Sequence, residues 1–145
     1  MYLVNIMDKL TKERRSWNMS QIKGRNTKPE LLLRKALFSR GLRYRLQVKL
    51  PGKPHDLVFP SQKTVVFVNG CFWHKHEGCK NFVVPKTNTD FWMEKINGNV
   101  KRDGVNYAKL IDAGWKPLII WECEIEDRFK ETVYKAIQQL EYGNK

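Results

Sequence analysis

The stretch from Thr64 to Cys79, TVVFVNGCFWHKHEGC, constrains this chain more than any other. Val65, Val66, Phe67 and Val68 form a short β-branched and aromatic run of the length of a buried strand. Asn69 and Gly70 tolerate positive φ, and Gly70 continues a strand poorly, so a turn is expected there. Cys71, Phe72, Trp73, His74, His76 and Cys79 then sit just beyond the end of a core strand. An open α/β sheet usually places its functional site at that position.

Elements on either side follow from local chemistry. Thr27-Lys28-Pro29-Glu30 reads as a capping box, with Thr27 accepting from an early amide, Glu30 reaching back and Pro29 tolerated in the first turn. The helix is expected to run to about Arg40, with Leu32, Leu33, Ala36 and Leu37 inward, and to stop at Gly41 as a left-handed cap. Leu42, Tyr44, Leu46 and Val48 alternate with Arg43, Arg45, Gln47 and Lys49, the pattern of a half-buried strand with a basic outer face. Pro51 to Pro54 is a turn, Asp56 begins the next strand, and Pro60 to Lys63 turns into the central one.

Beyond the cluster, Thr87 or Thr89 caps a helix starting near Asp90, with a kink or break expected at Asn97-Gly98 and Gly104. Pro117 to Trp121 is a further buried strand that delivers Glu122 and Cys123 at its end. Residues 126–142 form a last helix, with Phe129, Val133, Ile137 and Leu140 at helical spacing. The order αβββαβα predicts a mixed sheet flanked by helices.

At 145 residues with 41% hydrophobic content the chain has material for one domain with a real core. No apolar stretch reaches the roughly 20 residues of a membrane span, and nothing reads as a secretory signal, so a bacterial cytoplasmic protein is expected. Three cysteines argue against a closed disulfide framework and for a reducing compartment. The net charge of +12 is lopsided, because residues 1–53 carry 14 Lys and Arg against three acidic residues, a net +11. Such asymmetry is the footprint of a polyanion partner, here nucleic acid, or otherwise a solvated basic face. Residues 1–26 read as a basic arm ahead of a single domain over 27–145. The large side chains of that arm, Trp17, Met19 and Ile22, either reach into a groove or dock on the core as part of a short helix.

Two constellations carry chemistry. Cys71, His76 and Cys79 lie past one strand and Cys123 past another that could lie beside it, together a closed three-thiolate, one-imidazole set suited to structural zinc. The alternative is three buried free cysteines and a surface histidine. With His76 so used, His74 is available as a base, or is structural. Asp56 opens a hydrophobic strand, where a carboxylate is costly unless paired or bound to metal. It could hold Mg²⁺ through hard oxygen ligation, with the Val68 carbonyl completing the shell. Metal plus histidine in a basic chain points to phosphodiester hydrolysis. The adjacent pairs Phe72-Trp73 and Phe91-Trp92 are ordinarily core, and Phe91 is expected there. Phe72 and Trp73 cannot both point inward easily, and an exposed aromatic wedge would suit base stacking.

Gly70-Cys71-Phe72-Trp73-His74 resembles the very short patch repair endonucleases. The same resemblance extends to Leu50-Pro51-Gly52-Lys53-Pro54 before Asp56, Asp90-Phe91-Trp92, Asn99-Val100-Lys101-Arg102-Asp103, Gly114-Trp115 and Ile120-Trp121-Glu122-Cys123. It covers roughly residues 14–125. It implies a three-layer, restriction-endonuclease-like α/β fold with a central mixed sheet, a requirement for Mg²⁺, and nicking of double-stranded DNA 5′ of the thymine in a T:G mismatch left by 5-methylcytosine deamination. Asp56 would bind magnesium with the Val68 carbonyl, and Glu30 would be an acid near that ion. His74 would activate water with support from Asp103, in place of the usual Asp/Glu-x-Lys half of a nuclease motif. Cys71, His76, Cys79 and Cys123 would hold zinc. Phe72, Trp73 and Trp92 would open the duplex, and Met19 would approach from the minor groove. A monomer suffices for a single-strand nick, and mismatch-repair proteins are possible partners.

Where relatives commonly carry Thr-His before Gly-Cys, this chain has Val68-Asn69, and its His76–Cys79 spacer is one residue longer than in some. Neither change removes a ligand. A restriction-type endonuclease of the same fold and a non-catalytic, zinc-stabilised DNA-binding module are the rival readings.

Overall fold

The computed structural model describes residues 27–51 and 53–142. The expected arm over 1–26, Met19 included, lies outside them. Helix α1 (Lys28–Ser39) starts as its sequence requires, with the Thr27 hydroxyl accepting from the Glu30 amide at 3.5 Å and proline in the first turn. It ends before Gly41, which takes φ +87°. The inward stripe is Glu30, Leu33 and Leu37, whereas Leu32 is 44% exposed and Ala36 only partly covered. Three consecutive leucines at 31–33 leave two stripes open to choice. The one in line with the N-terminal turn faces the sheet.

The strand expected over 42–48 is broken. Arg45 and Val58 exchange both backbone hydrogen bonds, at 2.7 and 3.0 Å, but only as an isolated bridge. Gln47 then turns left-handed at φ +55°, and a separate hairpin pairs β1 (Val48–Leu50) with β2 (Lys53–His55). Asp56 therefore lies in a bend before β3 (Val58–Phe59), not within a strand. A 3₁₀ turn over Pro60–Gln62 and a left-handed Lys63 lead into β4 (Thr64–Asn69).

Helix α2 (Thr89–Asp112) follows, then β5 (Lys116–Trp121), α3 (Glu122–Asp127) and α4 (Phe129–Tyr142). The expected break at Gly98 or Gly104 does not occur, and α2 runs unbroken for 24 residues. Each glycine costs about 1 kcal/mol relative to alanine in a helix. Burial of Trp92 and Ile96 near one end and Leu110 near the other offsets that cost. The N-cap is Asn88, at φ +55°, rather than either threonine. The single last helix expected over 126–142 is two helices, interrupted at Arg128.

Strands β3, β4 and β5 form a mixed sheet in that order, β3 antiparallel and β5 parallel to β4. Alternation along β4 sends Val66 and Val68 to one face, against Leu33, Leu37, Ile125 and Leu140 from α1, α3 and α4. Val65 and Phe67 go to the other face, against Leu110 and Trp115. The sheet is thus covered on both faces. Among the described residues no helix is long and apolar enough to cross a membrane.

Candidate active site and metal-binding cluster

Beyond Gly70 the chain winds into a tight turn. The amides of His74, Lys75 and His76 donate to the carbonyls of Gly70, Phe72 and Cys71 at 3.1, 3.3 and 2.8 Å, and Lys75 takes φ +53°. One side of α2 receives this segment. Asn99 Nδ2 donates to the Trp73 carbonyl at 3.0 Å, Asp103 Oδ2 meets His74 Nδ1 at 2.5 Å, and Tyr107 Oη accepts from Asn69 Nδ2 at 3.1 Å. Residues 99, 103 and 107 are spaced by four, so they share a helix face. Burial pushes the Tyr107 phenol above its ordinary pKa, opposed by the Asn69 hydrogen bond.

The His74–Asp103 contact orients the imidazole. A carboxylate at Nδ1 takes that nitrogen's proton in a hydrogen bond, which leaves Nε2 as a lone pair directed elsewhere. His74 and Asp103 side chains are 28% and 20% exposed, sheltered yet reachable. Asp56 is partly exposed and accepts a hydrogen bond from the Gln47 side-chain amide. The left-handed break at Gln47 falls in the chain just ahead of the β1–β2 hairpin that leads to Asp56. Val58 pairs with Val65, and Leu57 accepts from the Val66 amide at 2.9 Å. Backbone groups alternate sides along a strand, so the Val68 carbonyl shares the β3-facing edge with Val66. The His55 ring meets Phe67 edge-on at 5.6 Å, and Phe67 meets Tyr107 at 5.0 Å, linking this bend to α2. His74 and Asp103 thus meet just beyond the carboxyl end of β4, which Val68 and Asn69 close, while Asp56 lies in the bend before β3. Glu30 is buried in the first turn of α1, with Arg34 Nη1 3.5 Å from its carboxylate.

The soft donors converge as well. One ligand atom each from Cys71, His76, Cys79 and Cys123 lies within 4.8 Å of the others. His76 Nδ1 is 3.5 Å from Cys123 Sγ. Two ligands on one tetrahedral zinc, at about 2.0 Å for nitrogen and 2.3 Å for sulfur, lie about 3.6 Å apart. The His76–Cys123 pair already has that spacing, and the four donors lie close enough together to hold a metal ion. The His76 ring is fixed by stacking on Trp121, with centroids 4.1 Å apart and planes 2° from parallel. Burial pushes the Cys71 and Cys123 thiols upward, a cost that a bound cation reverses by stabilising thiolate.

The aromatic expectation needs correction. Phe72 and Trp92 are fully buried with Ile96 in a satellite core, and Phe91, expected inside, is 50% exposed. Trp92 and Ile96 share an inward helical stripe, and Phe91 lies a hundred degrees round from it. The neighbours Phe72 and Trp73 diverge, so that Trp73 alone of the expected wedge reaches the surface, its ring 5.1 Å from Phe72 and 6.1 Å from Trp92.

Three further polar residues, to which the sequence pattern assigns no role, shape this region. Asn99 and Tyr107 carry a legible signal in their four-residue spacing from Asp103. Glu122 follows β5 directly, is half-buried, and accepts from the Cys71 amide at 3.1 Å. Burial raises its carboxyl pKa, partly offset by that hydrogen bond.

An oriented imidazole paired with an aspartate and a set of soft donors thus lie just past the end of a core strand, in a chain of net charge +12. The family model described as DNA mismatch endonuclease Vsr matches residues 7–81. The type II nicking enzyme V.NmeAIP of Neisseria meningitidis is 47% identical over 136 residues, 92% of this chain and 96% of that protein. The type II nicking enzyme V.XorIIP of Xanthomonas oryzae pv. oryzae is 46% identical over 121 residues, 83% of this chain and 88% of that one. The DNA mismatch endonuclease Vsr of Escherichia coli is 42% identical over 140 residues, 96% of this chain and 86% of that protein. The chain belongs to the Vsr family of DNA mismatch endonucleases.

Proposed function

We propose that this protein nicks double-stranded DNA on the 5′ side of the thymine in a T:G mismatch, as the repair step for deaminated 5-methylcytosine. The observation that carries the reading is the His74 Nδ1 to Asp103 Oδ2 contact of 2.5 Å at the carboxyl end of β4. Asp103 holds the imidazole in one tautomer, and His74 Nε2 takes the proton of the water that attacks phosphorus. The bond from phosphorus to the 3′ oxygen breaks, leaving a 3′-hydroxyl and a 5′-phosphate. Asp56 and the Val68 carbonyl offer hard oxygens of the kind that hold Mg²⁺, with Glu30 an acid in the surrounding shell. When bound, that ion supplies positive charge to the phosphate and to the departing oxygen.

Cys71, His76, Cys79 and Cys123 hold zinc in this reading, as a closed structural site behind the catalytic turn. The fold is the three-layer restriction-endonuclease type, a single domain over 27–145 preceded by a basic arm over 1–26 whose Met19 approaches the minor groove. Trp73 stacks on the bases beside the mismatch, with Phe72 and Trp92 packed behind it. A mismatched step costs less to unstack than a paired one, and stacking on the wedge offsets that cost of a few kcal/mol. The protein acts as a monomer on DNA in the bacterial cytoplasm, with mismatch-repair proteins as possible partners.

The test uses end-labelled duplexes that differ only in T:G against T:A, with and without Mg²⁺, for wild type and Asp56→Ala. Mismatch-dependent and Mg²⁺-dependent cutting of the thymine strand, abolished by Asp56→Ala, is the expected result. Cutting of paired sites favours a restriction-type endonuclease. Salt-sensitive binding without cutting, indifferent to Asp56→Ala, favours a DNA-binding module.

A further inference from the structure

The turn that carries Trp73 and His74 is held from two sides. On one side α2 contributes Asn99 to the Trp73 carbonyl and Asp103 to the His74 ring. On the other, the main chain is anchored at its first residue, where Glu122 Oε1 accepts the Cys71 amide at 3.1 Å. Cys71 is completely buried, so its N–H has no water to turn to if this acceptor is removed. Glu122 and Cys123 are consecutive, and both reach Cys71: the carboxylate at its amide, the thiol within the soft-donor cluster.

These two tethers differ in what they constrain. A metal–thiolate bond fixes the sulfur of Cys71 but leaves its backbone free to rotate about the side-chain torsions. A carboxylate on the amide fixes the backbone itself. The turn is internally bonded from Gly70 to His76, so the orientation of its first peptide is passed on to Trp73 and His74.

We propose that Glu122 is a positioning residue, whose carboxylate holds the Cys71 amide and so sets the frame of the catalytic turn against the end of β5. The inference rests on the assignment of His74 as the base. Glu122 touches no reacting atom in this account and acts through the turn.

The experiment compares full-length wild type, Glu122→Gln and Glu122→Ala after loading with zinc. Four quantities are measured: hydrogen exchange of the peptide spanning residues 70–76, bound zinc by mass spectrometry, Kd for T:G duplex, and single-turnover nicking rate. Loss of a hydrogen bond to a charged acceptor predicts nicking about 10-fold slower or more in Glu122→Ala, with faster exchange in the turn. Zinc content and Kd are expected to stay within about twofold, and Glu122→Gln, whose amide oxygen still accepts, to recover most of the rate.

An unchanged exchange pattern and rate in Glu122→Ala overturns the proposal. So does a glutamine variant as slow as alanine, which would make charge rather than the hydrogen bond the working property. Rate loss in proportion to zinc loss makes Glu122 a support of the metal cluster and also overturns it. If wild type itself fails to nick, the functional reading falls, and the exchange of residues 70–76 still decides whether Glu122 holds the turn.

Discussion

Replacing Asp103 by asparagine isolates what the imidazole gains from its partner. The substitution keeps size and shape, removes one negative charge from a position 2.5 Å from His74 Nδ1, and offers that nitrogen either a donor or an acceptor. If the asparagine amide donates to Nδ1, the ring proton moves to Nε2 and the lone pair that accepts from water is lost. Even with the correct tautomer, the imidazolium formed during attack loses its counter-charge. Unit charges about 4 Å apart interact by ~4 kcal/mol at an effective dielectric constant of 20. With the two side chains 28% and 20% exposed, solvent screening brings this to about 2–3 kcal/mol. That corresponds to a rate loss of about 30- to 150-fold, and more where the wrong tautomer dominates. The assay is single-turnover nicking of T:G duplex at saturating enzyme, with Kd measured separately by gel shift. The expected result is a slower chemical step at unchanged affinity. A rate within threefold of wild type, or a loss expressed wholly in Kd, would falsify the role given to Asp103.

Trp73→Ala is expected to weaken discrimination between T:G and T:A duplexes, since base–aromatic stacking is worth about 1–3 kcal/mol. Retention of full discrimination in the nicking assay counts against the wedge. Trp92→Ala should instead act on stability, at a cost of about 3–5 kcal/mol from the cavity left in the satellite core, read as a lowered urea midpoint. A near-native midpoint would contradict its burial. Chelation should release one zinc per chain and lower Tm, and Cys79→Ser should reproduce that shift without chelator; a metal-free protein of unchanged Tm refutes the zinc assignment. Tyr107 has a folded pKa above the ordinary 10.0, so its contribution to stability is present below that value and is lost as pH rises through the raised one. Tyr107→Phe should therefore flatten the alkaline fall in stability, and an identical fall in the variant refutes the shift.

The core strand, the Thr27 cap, the Gly41 stop and the gathering of four soft donors were all legible in the sequence, because each rests on chemistry confined to a few residues or on strand ends that the sheet must align. The errors share a different origin. Choosing between the Leu32 and Leu33 stripes, or between Phe91 and Trp92, requires knowing where the partner surface lies, which local pattern does not contain. The alternation over 42–48 is a sound strand signal that a single left-handed residue, Gln47, interrupts. Glycine at 98 and 104 signals a break only when the helix lacks packing at its ends, and α2 has it at both. Glu122 is placed by the sequence at the end of a strand, but its partner is a backbone amide 51 positions away, and a main-chain donor leaves no mark in the sequence.

The parallel ladder of β4 and β5 aligns Asn69 with Trp121, two residues short of Cys71 and Cys123 respectively. A slip of one residue would displace one cysteine from the other by about 3.3 Å and send the following side chains to the opposite face. Four donors within 4.8 Å could not then form. The nearness of the four donors is therefore a property of this one register of β4 against β5, the same register that sets where the turn bearing His74 begins.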